Sequence, residues 1–374
     1  MTLVIDRGRD GPRIHVLVIG VGLYRHLPGG EEPVPGGVLN LKQITSPPVS
    51  ALQMAEWLAN SLNHPEASFG TLEMLLSPAQ PVSLNDDPPK EVSVPNRQEV
   101  TRAFRAWKER CNTNERNVAI FYFCGHGVEK ESQYLLLEDF GATADDLLEN
   151  ALDIRVAYDG MSRCRSKFQY FFIDACREIP FLLLKQLDGG PLKLIVPTDE
   201  GERRLNSMLL IATPFGRRAF GKQGEVSRFT GALLDALKGS GARQINGRWK
   251  VGCAGLHAAM SGHLRSDDPY VFMAPEMRLI GQDPMHVCSS PPTVPVTIEC
   301  DPDAANEYAN FALVSSQGAV SPWVRPKAAG KWNLVVPADV YTLSVEFSGG
   351  EYRQLEQPIV IWPPPPSEHK VVVL

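Results

Sequence analysis

The chain has no excess of basic charge, no stretch long enough to cross a membrane and no paired-cysteine framework. Against 37 Lys and Arg stand 43 Asp and Glu, a formal net charge of -6. No positive field is there to draw in a polyanion, so nucleic-acid partners are not expected. The early apolar run Ile14 to Leu23 is far shorter than the ~18 residues a membrane span needs. It also lacks a small-residue cleavage site after it, which argues against a signal peptide. Seven cysteines, an odd number, are scattered with no Cys-x-x-Cys pair. That usage suits reduced thiols, and a cytoplasmic, membrane-free protein is the expectation. No Asp/Asn-rich calcium loop and no repeat of solenoid period is present. Cys124, His126 and Cys176 lack a fourth ligand at zinc spacing, so neither metal nor cofactor is expected.

What is present suits a globular enzyme. Hydrophobic residues make up 43% and charged residues 21% of 374 positions, enough apolar material for a large core and comfortable for two domains. The continuous apolar run at Ile14 to Val21 reads as a strand covered on both faces, Val118 to Cys124 and Lys167 to Asp174 as further buried strands, and Ser207 to Thr213 as another strand. Between them, helical spacing occurs over Val49 to Leu62, a capping Asn96 with Glu99 opens a helix ending about Arg110, and another helix is expected from about Arg228 to Leu237. Strand–helix alternation predicts an α/β fold, a mostly parallel sheet flanked by helices. Near residue 288 the composition changes. Residues 288–295 read as a Pro/Ser linker, and short alternating runs over 296–374 predict a small all-β sandwich, Ig-like in type. The expected division is therefore 1–287, a linker, and 296–374.

In open α/β sheets chemistry gathers beyond the carboxyl ends of the strands. The segment Phe121-Tyr-Phe-Cys-Gly-His-Gly leaves an imidazole, His126, just past one strand. Phe171-Phe-Ile-Asp-Ala-Cys-Arg-Glu leaves a thiol, Cys176, just past another, 50 residues on. A free thiol is mostly protonated at neutral pH. A neighbouring imidazole can take its proton and later return it to a leaving amine.

These motifs, in this order and spacing, resemble those of the caspase-like cysteine peptidases, including bacterial caspase homologues, metacaspases and paracaspases. Animal caspases carry Gln-Ala-Cys-[Arg/Gln/Gly]-Gly with the histidine about 50 residues upstream. This chain keeps Ala175-Cys176-Arg177 and changes both flanks. The resemblance covers roughly residues 10 to 285. It implies a thiol endopeptidase with His126 and Cys176 as catalytic pair and the Gly127 and Cys176 amides as oxyanion donors. It also implies that Asp174, with Ala219 and Phe220, forms the pocket for the residue preceding the cut. An aspartate at that place is what metacaspases and paracaspases use to cut after Arg or Lys, so basic specificity is expected. The rival expectations are an acid-selective caspase-like peptidase, favoured by Arg217 and Arg218, and a non-catalytic caspase-fold interaction module. By the same resemblance, Arg203 and Arg204 form a processing site of a zymogen. The implied partners are a protein substrate and an activating protease or regulatory protein, in a bacterial stress, cell-death or antiviral programme.

Overall fold

The computed structural model describes residues 2–8, 10–36, 38–84, 88–143, 145–175, 190–195, 204–212, 224–264, 274–318, 321–348, 350–364 and 367–373. Their contacts separate into two compact units, Met1–Leu234 with His263–Met285, and Asp235–Gly262 with His286–Leu374. No helix among the described residues is long and apolar enough to cross a membrane.

The first unit opens with β1 (Leu3–Asp6), β2 (Arg13–Val21), α1 (Ser46–Asn60) and β3 (Ser68–Ser77), then a two-residue hairpin of β4 (Pro81–Val82) and β5 (Lys90–Glu91). It continues through α2 (Arg97–Cys111), β6 (Val118–Gly125), β7 (Gly127–Glu129), β8 (Gln133–Leu136), β9 (Ala151–Asp153) and α3 (Ile154–Gly160). Then come β10 (Phe168–Ala175), β11 (Asn206–Ile211) and α4 (Arg228–Asp235). The chain later supplies β12 (Ala242–Ile245), β13 (Arg248–Gly252), α5 (Cys253–His263), β14 (Glu276–Ile280) and β15 (Pro284–Val287).

The main sheet has the order β1-β3-β2-β6-β10-β11-β14. From β3 to β11 the neighbours are parallel, and only the edge strands β1 and β14 run antiparallel. Because β2 pairs with β3 on one side and β6 on the other, the strand order reverses between β2 and β6. That reversal opens a crevice at the carboxyl ends of the two strands. A smaller antiparallel sheet, β7-β8-β9, grows directly out of β6.

Each central strand is buried along almost its whole length, which explains its predominantly apolar sequence. Side chains alternate between two cores. Gly20 of β2 faces α1, where a Cβ would come within 2.8 Å of Ala51 Cβ. The opposite faces of β2, β6 and β10 send Leu17, Ile19, Phe121, Phe123, Phe171, Ile173 and Ala175 into a core shared with α2. Helix α2 buries Val100, Ala103, Phe104, Trp107 and Cys111 at helical spacing. Its Asn96 side chain accepts the Glu99 N–H at 2.9 Å, an N-cap of the expected kind. Trp107 anchors this helix by donating Nε1–H to the His15 carbonyl at 2.9 Å while packing on Phe121 and Phe171.

The second unit contains β12 and β13 with β15, and strands β16 (Thr293–Asp301), β17 (Ala309–Ser315), β18 (Trp323–Arg325), β19 (Trp332–Pro337), β20 (Asp339–Phe347), β21 (Leu355–Ile361) and β22 (Ser367–Val372). The last seven form two sheets, β19-β16-β22 and β18-β17-β20-β21. Alternate residues of β20 (Tyr341, Leu343, Val345 and Phe347) are buried, the pattern of a sheet with one wet face.

Candidate active site

His126 sits at the first position beyond β6, at the crevice where strand order reverses. Several contacts help define its place. Its backbone N–H donates to the hydroxyl of the fully buried Tyr24 at 2.7 Å. Its ring lies against the Tyr24 ring, centroids 5.1 Å apart. Its Nε2 is 2.7 Å from the Lys42 carbonyl oxygen. A carbonyl only accepts, so Nε2 carries the proton and the neutral ring keeps its lone pair on Nδ1. Nδ1 is thereby the nitrogen able to take a proton.

The loop between β2 and α1 supplies both Tyr24 and Lys42, and Gln43 fastens it. The Gln43 side chain accepts the Tyr24 N–H at 2.6 Å and donates to the carbonyls of Tyr24 and Pro28 at 2.9 and 3.2 Å. Gly125 packs closely against this assembly. A Cβ there would stand 3.0 Å from the Tyr24 hydroxyl and 3.0 Å from the Phe123 ring. Arg25, beside Tyr24, pairs with Glu138 at 3.3 Å, and burial raises the Glu138 carboxyl above its ordinary range against that pairing.

Strand β10 runs beside β6 in parallel register, with Asp174 opposite Cys124 and Ala175 opposite Gly125. Cys176, the next residue in sequence, lies outside the described residues, as do Ala219, Phe220, Arg203, Arg217 and Arg218. Gly127 begins β7. It pairs with Leu135, while Leu136 N–H donates to the His126 carbonyl at 3.0 Å.

Asp174 is 4% exposed. The hydroxyls of Ser227 and Thr230 both donate to its Oδ2, the latter at 2.6 Å, and the Cys124 thiol is a third donor. Burial raises its pKa above the ordinary carboxylate range, and the donated hydrogen bonds oppose that rise. Tyr122 lies 2.6 Å from Thr230 Oγ1, and Ser227 N–H donates to Ser50 Oγ at 3.0 Å. The result is a buried polar cluster joining β6, β10, α1 and the start of α4. Burial also pushes the Cys124 thiol well up, which keeps it protonated and unreactive.

Arg204 is buried at 6% exposure. Its guanidinium stacks 4.4 Å from the Tyr158 ring centroid and reaches the Tyr158 carbonyl and Ser207 Oγ at 3.3 Å each. A protease cutting after Arg204 would first have to draw this side chain out. Among the described residues no group of three or more His, Cys, Asp or Glu is placed to hold a metal ion. A groove of about 760 Å³ follows the outer face of α2 past Arg97, Arg102 and Arg105, and includes neither His126 nor Asp174.

Sequence reasoning had not marked Tyr24, Gln43 or the Lys42 carbonyl. Tyr24 leaves a faint signal, a polar aromatic three residues past the strand end at Val21. A backbone carbonyl leaves none.

Comparison with known proteins gives the same frame. The family model for the caspase domain, Peptidase C14, matches residues 16–248. The uncharacterized protein y4kE of Sinorhizobium fredii is 30% identical over 293 residues, 74% of this chain and 82% of that protein. A probable protease of a Desulfuromonadales bacterium is 29% identical over 213 residues, 52% of this chain. That match spans only 24% of the Desulfuromonadales protein. With a caspase-domain α/β fold built on a large mixed sheet, this chain belongs to the caspase-domain family of cysteine peptidases.

Proposed function

We propose that the chain is a cysteine endopeptidase that cuts protein substrates after Arg or Lys, with Cys176 as nucleophile and His126 as its base. One observation carries this reading. His126 is held in the tautomer that places the lone pair on Nδ1, at the end of β6, beside the parallel strand whose next residue is Cys176. In the reaction the Cys176 thiol gives its proton to His126 Nδ1 and its sulfur attacks the scissile carbonyl. The Gly127 and Cys176 amides stabilise the oxyanion, and the intermediate collapses as His126 protonates the departing amine. Water, deprotonated by His126, then releases the acyl group and restores the thiol.

Basic specificity is supported by Asp174, a buried carboxyl group two residues before the nucleophile. Such a group pairs with a guanidinium through two charge-assisted hydrogen bonds. A second reading also has an observation behind it. Ser227, Thr230 and Cys124 already donate to Asp174, as suits a carboxylate that anchors α4 and leaves specificity, acid-selective included, to other residues.

Hydrolysis of coumarin peptides ending in Arg, Lys or Asp by wild type, Cys176→Ala and Asp174→Asn separates these readings. Cleavage of Arg and Lys peptides by wild type is expected to vanish in Cys176→Ala. Asp174→Asn should lose about 30-fold or more in kcat/KM on them, the usual loss for a desolvated charge partner. Undiminished Arg cleavage by Asp174→Asn would favour the anchoring role. Activity surviving in Cys176→Ala would remove the nucleophile assignment.

A further inference from the structure

The oxyanion donors in this reading are backbone amides, so something other than their own side chains must aim them. In a trans peptide the carbonyl and the following N–H point in opposite directions within one rigid plane. A donor that grips a carbonyl therefore sets the direction of the next amide. For Gly127 that donor is visible. Leu136 N–H of β8 holds the His126 carbonyl at 3.0 Å. Since Gly127 stands opposite Leu135, this bond makes Gly127 and Leu135 a non-hydrogen-bonded pair of the ladder. The Gly127 N–H consequently points away from β8, free of the ladder.

The second peptide, between Ala175 and Cys176, is beyond the reach of that ladder, yet β8 grips it too. Gln133 Nε2–H donates to the Ala175 carbonyl at 3.4 Å. Gln133 has no exposed surface. Ordering a buried amide costs side-chain entropy and desolvation, and the bond to Ala175 offsets part of that cost. At this distance the bond is long for an N–H···O contact. Strand β8 is itself rigid: Leu135 and Leu136 are buried in the same core as Ala175, with Leu152 of β9 beside them.

We propose that Gln133 is a positioning residue for the oxyanion hole, fixing the plane of the Ala175–Cys176 peptide as the Leu136 amide fixes that of His126–Gly127. One strand would thus aim both donors, through its backbone at one and through a side chain at the other. The inference rests on the assignment of Cys176 as nucleophile with the Gly127 and Cys176 amides as donors.

The test compares wild type, Gln133→Leu, Gln133→Glu and Cys176→Ala in two reactions. The first is turnover of an Arg-terminated coumarin peptide, which passes through an oxyanion. The second is alkylation of Cys176 by iodoacetamide, in which the sulfur displaces iodide from an sp³ carbon and no oxyanion forms. Gln133→Leu should lower kcat about 10- to 100-fold, the scale of a sub-ångström misalignment. KM should stay within about twofold and alkylation should keep its wild-type rate. Gln133→Glu cannot donate while ionised but can when protonated. Its kcat relative to wild type at the same pH should therefore rise as pH falls from about 8 to 6, since burial holds such a carboxyl protonated to higher pH. A leucine variant with wild-type kcat, a parallel fall of turnover and alkylation, or a Gln133→Glu ratio flat with pH would each overturn the role. Peptide cleavage persisting in Cys176→Ala would instead sink the assignment beneath it.

Discussion

Removing one oxygen atom from Tyr24 tests how His126 is held. In Tyr24→Phe the buried ring stays against the imidazole, but the His126 N–H loses the acceptor it reaches at 2.7 Å. A partly buried amide left without a partner costs about 1–3 kcal/mol. In a domain of this size one kcal/mol moves the melting midpoint by about 2–4 °C, so a fall of several degrees is expected. In the role proposed for it, the imidazole should also be less well placed to take up a proton. A barrier increase of about 1.4 kcal/mol is tenfold in rate, so kcat should fall by about that factor with KM little changed. Gly125→Ala attacks the same contact from the other side, because its Cβ would press on the Tyr24 hydroxyl and on Phe123 at 3.0 Å. Overpacking of this kind costs about 1–3 kcal/mol. In the double variant the pressed oxygen is gone, so the two costs should sum to less than their separate values. Differential scanning fluorimetry and peptide turnover read both effects. A Tyr24→Phe protein that melts and turns over like wild type would refute the argument, and strict additivity would refute the coupling.

His64 is 5% exposed and burial lowers its pKa from 6.5 to about 4. The unfolded chain therefore binds a proton between those values that the folded chain refuses, and stability must fall as pH drops from about 6.5 toward 4. By pH 5 the loss attributable to His64 is about 2 kcal/mol. Urea titrations of wild type and His64→Phe at pH 7 and 5 should show the variant losing less, and equal losses would exclude the residue. Glu73 of β3 and Arg110 of α2 form a buried ion pair, 2% and 7% exposed. Arg110→Met alone should cost about 3–5 kcal/mol by stranding the carboxylate, whereas Glu73→Leu with Arg110→Met should recover most of it. Urea midpoints for the two proteins decide, and equal instability would show that the pair's contribution is not the stranded charge.

The parts of the fold that announce themselves in the sequence are those buried on both faces. Strands β2, β6, β10 and β11 are predominantly apolar because both faces of the sheet are covered at their positions. The edge strand β14 is only half buried along Glu276–Ile280, so its residues carry no such mark. Strands β7 and β9 are three residues each, too short for any period to register. The same physics governs the site. His126 and Cys176 stand out as reactive residues following conspicuous runs. Their supports do not stand out, because a hydrogen bond to a carbonyl, as from His126 to Lys42 or from Gln133 to Ala175, places no demand on the residue that accepts it. Gln43 and Gln133 fall in no pattern. What each glutamine contributes is reach across chain separations of 19 and 42 residues.

The alternation of β10 then divides the labour at the site. Asp174 and Ala175 are consecutive, so their side chains face opposite layers. Asp174 meets Ser227 and Thr230 at the start of α4, with Ser50 of α1 behind them. Ala175 enters the core shared with β8, and its carbonyl is held by Gln133. Recognition and transition-state stabilisation would then be adjusted from different sides of one sheet, by residues that do not touch. Substitutions at Asp174 and Gln133 should accordingly combine additively in kcat/KM, since independent contributions add and only shared ones fail to. A coupling above about 0.5 kcal/mol between them would mean that the Asp174 cluster also sets the peptide that follows it, and the separation argued from the strand's alternation would fall.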